Sequence, residues 1–412
     1  MNNSMIWQRR ELPNGLRVLL LPRESSNTTQ LSLAVEYGSN QDLGEQSGVA
    51  HFIEHMLAGG STSRIEISRS VENTGGILDF FTDHEHTMAI MNVLPEELSN
   101  VYTIIDRLFF NSEFEEKKFN QERKIILNEI SESLDDPMEK LEELLLESLF
   151  KNHPVRRPVL GLPKTVKQLT LRQLKASKQS NYVPQNMILA LAGKFSDKDS
   201  KMVLEKFEKK EDNQPFLKKL QPLEAGKPKP MVVRKKVGIT QAYLSVGART
   251  VCSMHKDAPT IDLISTLLGG GTSSRLFIQL REKNALTYDI ISDHNKGLDF
   301  GFFSLSCAVK EKSVAKTETL VLKELTRLKT EAVSNNELEK NKNLIVAGIL
   351  RGMDRSQDAL EIITYLEMQY KSEKSLGDYI SKIKAISADS IINAANFYFK
   401  EENLSTVLLT PK

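Results

Sequence analysis

Two segments of the chain, one near the start of each half, share a pattern of residues. Thr29–Val35 reads Thr-Gln-Leu-Ser-Leu-Ala-Val, and Thr240–Val246 reads Thr-Gln-Ala-Tyr-Leu-Ser-Val. A long helical region follows each segment, and each half closes on a strand-like run, at 187–191 and at 404–409. A repeated order of elements is the signature of a duplicated unit. The chain is therefore expected to contain two homologous domains.

The composition changes between the two halves. Residues 209–213 form a charged run, and four prolines follow within the next seventeen positions, up to residue 230. Prolines and charges without apolar periodicity are typical of linkers. With 412 residues the chain is also too long for one ordinary core. The sequence predicts an N-terminal domain at 1–215, a linker at 216–230 and a C-terminal domain at 231–412.

Strand patterns and helical patterns occur in both halves. Runs of aliphatic residues predict strands at 17–21, 29–37 and 186–192. Apolar residues with helical spacing predict helices at 48–57, 65–73, 96–109 and 115–150. The mixture predicts an α+β fold class, with two homologous α/β-sandwich domains, each an antiparallel-rich sheet with helices packed on it.

Charge and cysteine content narrow the function classes. The formal net charge is +1, so no global field favours nucleic acid or an anionic membrane. No apolar run approaches 18 residues, and the N-terminus lacks the pattern of a secretory signal. Cys252 and Cys307 lack the spacing of a zinc site, and two reduced thiols are expected. The sequence predicts a cytoplasmic protein with no nucleic-acid or membrane partner.

One ten-residue segment carries the clearest chemical signal. Residues 48–57 read Gly-Val-Ala-His-Phe-Ile-Glu-His-Met-Leu. On a helix, the apolar side chains share one arc, while His51, Glu54 and His55 share the opposite arc. Histidines four residues apart can bind one Zn²⁺, and the adjacent Glu can accept a proton, as in the H-x-x-E-H zinc peptidases. The alternative is a polar helix face with two unrelated histidines.

A catalytic zinc also needs a third protein ligand. Glu122 and Glu129 lie seven residues apart in a predicted helix and therefore share a face. The same face carries four apolar residues, Phe119, Ile125, Ile126 and Ile130. A carboxylate in such a stripe is costly unless it is paired, and a metal ion supplies the pairing. Glu129 is therefore the predicted third ligand, unless the helix register leaves both carboxylates exposed.

These motifs together resemble the pitrilysin/insulinase family of zinc metallopeptidases, in particular its short two-domain members similar to mitochondrial processing peptidase. The resemblance runs from about Leu12 to the C-terminus. It rests on the segments 12–16, 48–56, 135–137, 181–187 and 269–277 and on the pair Glu122 and Glu129. Asp79-Phe80 departs from the Asn-Ala that is usual in the family before the residue matched by Thr82, which leaves substrate preference open.

The resemblance implies a role for each matched residue. His51, His55 and Glu129 would bind Zn²⁺, Glu54 would be the general base, and Glu122 a supporting carboxylate. In the second half, Arg281 and Tyr288 fit an Arg and a Tyr seven residues apart that hold substrate and polarise its carbonyl. Without the resemblance they would be read as an exposed helix Arg and a packed Tyr.

The resemblance also implies an activity and an assembly. The expected function is that of a zinc metalloendopeptidase that cuts small or unfolded peptides inside a chamber formed by a dimer. A homodimer is expected, in which Arg281 and Tyr288 of one subunit face the zinc of its partner, and a heterodimer stays open. The alternative function is a non-catalytic peptide-binding or assembly subunit of a heterodimeric peptidase. Such subunits usually lose metal or base residues, and none is missing here.

Overall fold

The computed structural model describes residues 7–59, 64–210, 220–222, 224 and 226–412. The chain divides into two compact units, and neither is continuous in sequence. The first unit is drawn from 1–131, 157–219 and 351–375. The second unit is drawn from 132–156, 220–350 and 376–412.

Eleven strands occur in the described residues. In chain order they are β1 (Gln8–Glu11), β2 (Arg17–Pro22), β3 (Thr29–Val35), β4 (Ile77–Thr82), β5 (Thr87–Val93), β6 (Met187–Gly193), β7 (Met231–Lys236), β8 (Ala242–Arg249), β9 (Ile291–Lys296), β10 (Gly301–Val309) and β11 (Leu404–Pro411).

Fourteen α-helices occur in the same residues. In chain order they are α1 (Val49–Gly59), α2 (Arg64–Glu72), α3 (Leu98–Phe109), α4 (Glu116–Asp135), α5 (Pro137–Leu149), α6 (Pro163–Gln168), α7 (Leu171–Asn181), α8 (Asp197–Glu208), α9 (Ala258–Gly269), α10 (Val314–Thr330), α11 (Asn335–Asp354), α12 (Ser356–Tyr370), α13 (Ser375–Ala385) and α14 (Ala388–Tyr398).

The first unit is built on a six-stranded sheet. Its strand order is β1-β2-β6-β3-β5-β4, and only the β2–β6 pair is parallel. Every residue of β3 and β6 is buried, which indicates that both faces of the sheet are covered. Helices α1 and α3 contact β5, and α12 contacts β2, β3 and β6. Strand β4 is the edge of this sheet beside α1.

The second unit repeats this arrangement with five strands. Its strand order is β7-β11-β8-β10-β9, and only the β7–β11 pair is parallel. Without β1, the first sheet has the same order and the same single parallel pair. The two similar heptads noted in the sequence form β3 and β8, which hold the same place in their sheets. The predicted α+β class and its two homologous sandwich domains are confirmed.

The helical pattern at 115–150 is two helices and not one. The side chain of Asp136 accepts hydrogen bonds from the backbone N–H groups of Met138 and Glu139, at 2.7 and 3.0 Å. Pro137 occupies the first position of α5, where its missing N–H costs nothing. An N-cap followed by proline therefore ends α4 and starts α5. The predicted helical character of 115–150 is confirmed, and Asp136 and Pro137 divide the region into two helices.

Each half of the sequence contributes one helix to the unit that is built mainly from the other half. Helix α5 packs on β8 and β11, where its buried Leu144 and Leu145 join a cluster with Phe302 and Leu409. Helix α12 packs on the first sheet. The predicted domains, 1–215 and 231–412, are each continuous in sequence, so they place α5 in the first domain and α12 in the second.

Buried ion pairs tie α12 to the first sheet. The carboxylate of Glu367 is fully buried and lies 3.0 Å from Arg9 Nε and 3.8 Å from Arg17 Nη1. Arg17 also lies 3.1 Å from Glu36. Removing one member of such a set would leave an uncompensated buried charge.

Only part of the predicted linker falls in the described residues, since 216–219, 223 and 225 lie outside them. Glu224, which the structure describes, accepts hydrogen bonds from the backbone N–H groups of Asn152 and His153 at 2.9 and 2.8 Å. This position is therefore fixed to the second unit. No helix in the described part of the chain is both long enough and apolar enough to cross a membrane.

Candidate metal centre

Helix α1 holds its histidines by burying the opposite face. Phe52, Ile53, Met56 and Leu57 are completely buried. The ring of Phe52 stacks on that of Phe119 in α4, with centroids 4.8 Å apart. This packing fixes the rotation of α1 and its distance from α4.

A buried carboxylate caps the start of α1. Asp42 accepts hydrogen bonds from the backbone N–H groups of Gly48 and Ala50, at 2.8 and 3.1 Å, and from the hydroxyl of Tyr37, at 2.9 Å. Burial raises the pKa of Asp42 to about 7, although these hydrogen bonds oppose the shift. Gly48 has φ of +101°, a conformation that disfavours any side chain. The cap lies several residues before the helix, so local capping patterns do not reveal it.

His51, His55 and Glu129 lie together in the first unit. Glu129 Oε2 is 3.2 Å from His55 Nε2 and 3.7 Å from His51 Nε2. One donor atom from each residue lies within 4.8 Å of the others. Two donors that share a tetrahedral Zn²⁺ at about 2.0–2.1 Å lie about 3.3 Å apart. The donor set and its spacing therefore fit a zinc ion.

Glu122 lies behind His55. Its Oε2 is 3.1 Å from His55 Nδ1, the ring nitrogen that points away from Glu129. Metal-binding histidines usually donate this second N–H to a carboxylate, which fixes the tautomer and the ring orientation. The side chains of Glu122 and His55 are 6% and 10% exposed, so this contact is shielded from water.

In the metal-free protein, the pKa values of the two imidazoles shift in opposite directions. Burial lowers the pKa of His55, but the hydrogen bonds to Glu122 and Glu129 outweigh this effect and raise the pKa to about 9. Burial and the neighbouring His55 lower the pKa of His51 to about 4, against the attraction of Glu129. Among the described residues, His51 Nδ1 has no hydrogen-bond partner. The cluster therefore combines one neutral and one protonated imidazole.

The environment of Glu129 differs from the predicted apolar stripe. Phe119, Ile126 and Ile130 are buried, but Ile125 is 45% exposed. The Glu129 side chain is 41% exposed and lies at the edge of the buried face of α4. The predicted burial of Glu129 therefore holds only in part, because its side chain is partly exposed while its Oε2 atom is buried. Glu122 on the same helix is buried as a whole.

Glu54 is held by the edge strand of the sheet. The hydroxyl of Thr82, the last residue of β4, donates to Glu54 Oε2 at 2.9 Å. Thr82 Oγ1 lies 3.2 Å from Thr87 Oγ1, and Thr87 donates to the carbonyl of Tyr37 at 3.0 Å. This chain of contacts fixes one carboxylate oxygen of Glu54. Sequence reasoning gave Thr82 no partner, because the partners are 28 residues apart.

Arg281 and Tyr288 belong to the second unit and contact each other. Arg281 lies in the last turn of a short π-helix at Phe277–Glu282, and its Nη1 donates to the carbonyl oxygen of Tyr288 at 3.1 Å. The guanidinium lies over the Tyr288 ring, 4.3 Å from the centroid. The Tyr288 side chain is 79% exposed, so it is not the packed tyrosine that its local sequence suggests.

The second unit has no matching metal ligands on its equivalent helix. Helix α9 follows β8 as α1 follows β3, but its sequence Ala-Pro-Thr-Ile-Asp-Leu-Ile-Ser-Thr-Leu-Leu-Gly contains no His. Asp262 of α9 instead contacts His294 and Lys296 of β9, at 2.7 and 2.6 Å. An ion-pair network thus connects helix and edge strand in the second unit.

Two family profiles match consecutive parts of the chain. The profile described as "Insulinase (Peptidase family M16)" matches residues 17–162, and the one described as "Peptidase M16 inactive domain" matches residues 168–345. The chain belongs to the insulinase family of peptidases. The predicted resemblance is therefore confirmed, and the word "inactive" agrees with the lack of histidine in α9.

Relatives of similar length carry the name zinc protease. The uncharacterized zinc protease YmxG of Bacillus subtilis is 24% identical over 400 residues, which are 97% of each chain. An uncharacterized zinc protease of Mycobacterium leprae is 26% identical over 410 residues, which cover 98% of this chain and 91% of the relative. The structure of a protease from Helicobacter pylori has the same fold, with a TM-score of 0.89 at 22% identity over 98% of this chain and 99% of that one.

Proposed function

We propose that this insulinase-family chain is a zinc-dependent endopeptidase. The observation that carries the proposal is the convergence of His51, His55 and Glu129 within one cluster, beside Glu54 on the same helix. Two imidazoles and one carboxylate form a donor set of catalytic zinc sites and leave one position for water or substrate. The zinc protease name of the relatives supports the same metal and reaction class.

The protein side chains divide the work as follows. His51, His55 and Glu129 would hold the ion, which would supply the Lewis acidity for the reaction of water with the scissile carbonyl. Glu54 takes a proton from the attacking water and later gives it to the leaving amine. Thr82 donates to one oxygen of Glu54 and so fixes the orientation of the carboxylate that exchanges the proton.

The edge of the first sheet offers a binding mode for an extended peptide. Strand β4 is the last strand of its sheet and ends at Thr82, which contacts Glu54. A substrate that adds to this edge as a further strand would pass beside the catalytic carboxylate. Such a mode requires an extended backbone, which favours small or unfolded polypeptides. On this strand Asp79 is exposed and Phe80 is partly exposed, so both can contact substrate side chains.

The Glu54→Gln variant tests the catalytic proposal. We expect it to keep zinc, because Glu54 is not in the donor set, and to lose cleavage by a factor of about 10² to 10⁴. Zinc content and the cleavage rate of a quenched peptide library are measured for both proteins. Glu72→Gln, at an exposed carboxylate of α2, is the matched control. Wild-type protein that purifies without zinc would support a binding subunit instead.

Mixing two inactive variants tests the proposed homodimer chamber. One chain carries Glu54→Gln and the other Tyr288→Phe, so a mixed dimer has one site with both residues intact. We expect activity to reappear after subunit exchange if Arg281 and Tyr288 serve the partner's zinc. Absence of recovery in a verified mixed dimer would show that each chain uses its own tyrosine.

A further inference from the structure

An aromatic cavity lies in the first unit and shares no lining residue with the metal centre. Its volume is about 560 Å³, within the range of small-ligand sites. The end of α3 and the loop before α4 form one wall, and α7 with Tyr182 forms the other. Four of its lining residues are aromatic: Phe109, Phe110, Phe114 and Tyr182.

One partly buried ammonium group lies beside these rings. Lys178 Nζ lies 5.4 Å from the centroid of the Phe114 ring and 3.4 Å from the carbonyl oxygen of Ser112. Among the described residues, no carboxylate forms an ion pair with Lys178 or contributes to its pKa. Burial lowers the pKa of Lys178 to about 8, which reflects the cost of holding this charge away from water.

The remaining charged groups of the cavity lie at its exposed rim. Glu113, Glu115 and Lys175 are all exposed, so water screens their charges. Lys178 is therefore the one ionic group of the described lining that is largely withdrawn from solvent. The interior presents apolar rings and a single cation.

Hydrogen bonds hold the wall that carries Lys178. The adjacent Ser177 donates to the hydroxyl of Tyr37 at 2.7 Å, and Tyr37 donates to the capping carboxylate Asp42. Asn181 donates back to the Ser177 carbonyl at 2.8 Å. The rings of Phe109 and Tyr182 pack with centroids 6.1 Å apart. A wall fixed in this way lowers the entropic cost of binding a ligand.

We propose that this cavity binds an organic carboxylate with an apolar body. The carboxylate pairs with Lys178, and the apolar part lies among the four aromatic rings. A partly buried ammonium without a carboxylate partner gains most from an anion that is shielded from water in the same site. Two sources offer this chemistry, namely a free aryl or alkyl carboxylic acid and the C-terminus of a peptide that ends in an apolar residue.

Calorimetry on the full-length chain tests the proposal with defined probes. The free-acid probe is 3-phenylpropanoate, compared with its amide. The peptide probe is N-acetyl-Ala-Ala-Phe, compared with its C-terminal amide, on the Glu54→Gln chain so that cleavage cannot consume it. We expect saturable binding of at least one acid and at least tenfold weaker binding of its amide.

Two lysine variants locate the binding. Lys178→Met keeps the apolar stem and removes the charge, and we expect it to weaken acid binding at least tenfold. Lys167→Met, at an exposed position of α6 outside the cavity lining, is the matched control and should change affinity less than threefold. Binding of only one acid identifies its source. No binding of either acid, or equal affinity of Lys178→Met and wild type, would overturn the proposal. If Lys178→Met does not fold, the comparison of each acid with its amide on the protein that retains Lys178 still tests the proposal.

Discussion

The pair formed by His55 and Glu122 makes zinc affinity depend on pH in a specific way. In the metal-free protein, the pKa of His55 is raised to about 9. At pH 7 the imidazole must therefore lose a proton before it can bind the metal. A gap of two pKa units corresponds to about 2.7 kcal/mol, or about a hundredfold loss of zinc affinity at pH 7. Affinity should rise about tenfold per pH unit up to about pH 9.

Replacing Glu122 should change how zinc affinity depends on pH, in addition to lowering the affinity itself. Above pH 9, His55 is neutral in the metal-free protein, so Glu122 stabilises only the metal-bound state. Glu122→Gln should therefore weaken zinc binding by about 10- to 100-fold in this range. Below pH 9, the same carboxylate also stabilises the protonated His55 of the metal-free protein. The two effects oppose each other, so the loss in the variant should shrink as pH falls.

The assay is a chelator-buffered zinc titration of both proteins between pH 6.5 and 9.5. Glu116→Gln, at an exposed carboxylate of the same helix, is the control and should follow the wild type. The expected result is an affinity ratio between wild type and Glu122→Gln that grows with pH. A ratio that stays constant over this range would refute the argued coupling between Glu122 and His55.

Three further changes probe buried contacts in the two units. Asp42→Ala removes the cap of α1 and leaves two buried N–H groups without their acceptor, so we expect a loss of about 2–4 kcal/mol in urea denaturation. Leu145→Ala empties a buried position between α5 and the second sheet, and should cost about 2–5 kcal/mol in the same assay. Glu367→Gln should cost about 3–5 kcal/mol, because Arg17 and Arg9 lose a buried partner, and an equal loss at low and high salt would show that this pair is shielded from solvent.

Local patterns in the sequence predicted the elements that carry the chemistry. The helical spacing of apolar residues placed His51, Glu54 and His55 on one face of α1, and the structure shows the opposite face fully buried. The duplicated order of strands predicted two sheets of the same topology. Both signals lie within short windows, where periodicity follows directly from helix and strand geometry.

Contacts between distant residues were beyond such patterns. Asp42 caps a helix from several positions upstream, and Thr82 meets Glu54 through the edge of the sheet. The exposure of Ile125 shows that a stripe read on a helical wheel does not fix which side chains its neighbours cover. These features depend on how elements pack, which a single sequence does not specify.

Because α5 packs on the second sheet and α12 on the first, the two halves of the sequence are not expected to fold as separate polypeptides. A polypeptide that stops at the boundary between the halves lacks the helix that carries Glu367, and its counterpart lacks the helix that carries Leu145. Each fragment alone would expose one bare sheet face and should aggregate or stay unfolded. When the two fragments are produced together in one cell, each supplies the helix that the other lacks, so we expect them to associate into a folded protein.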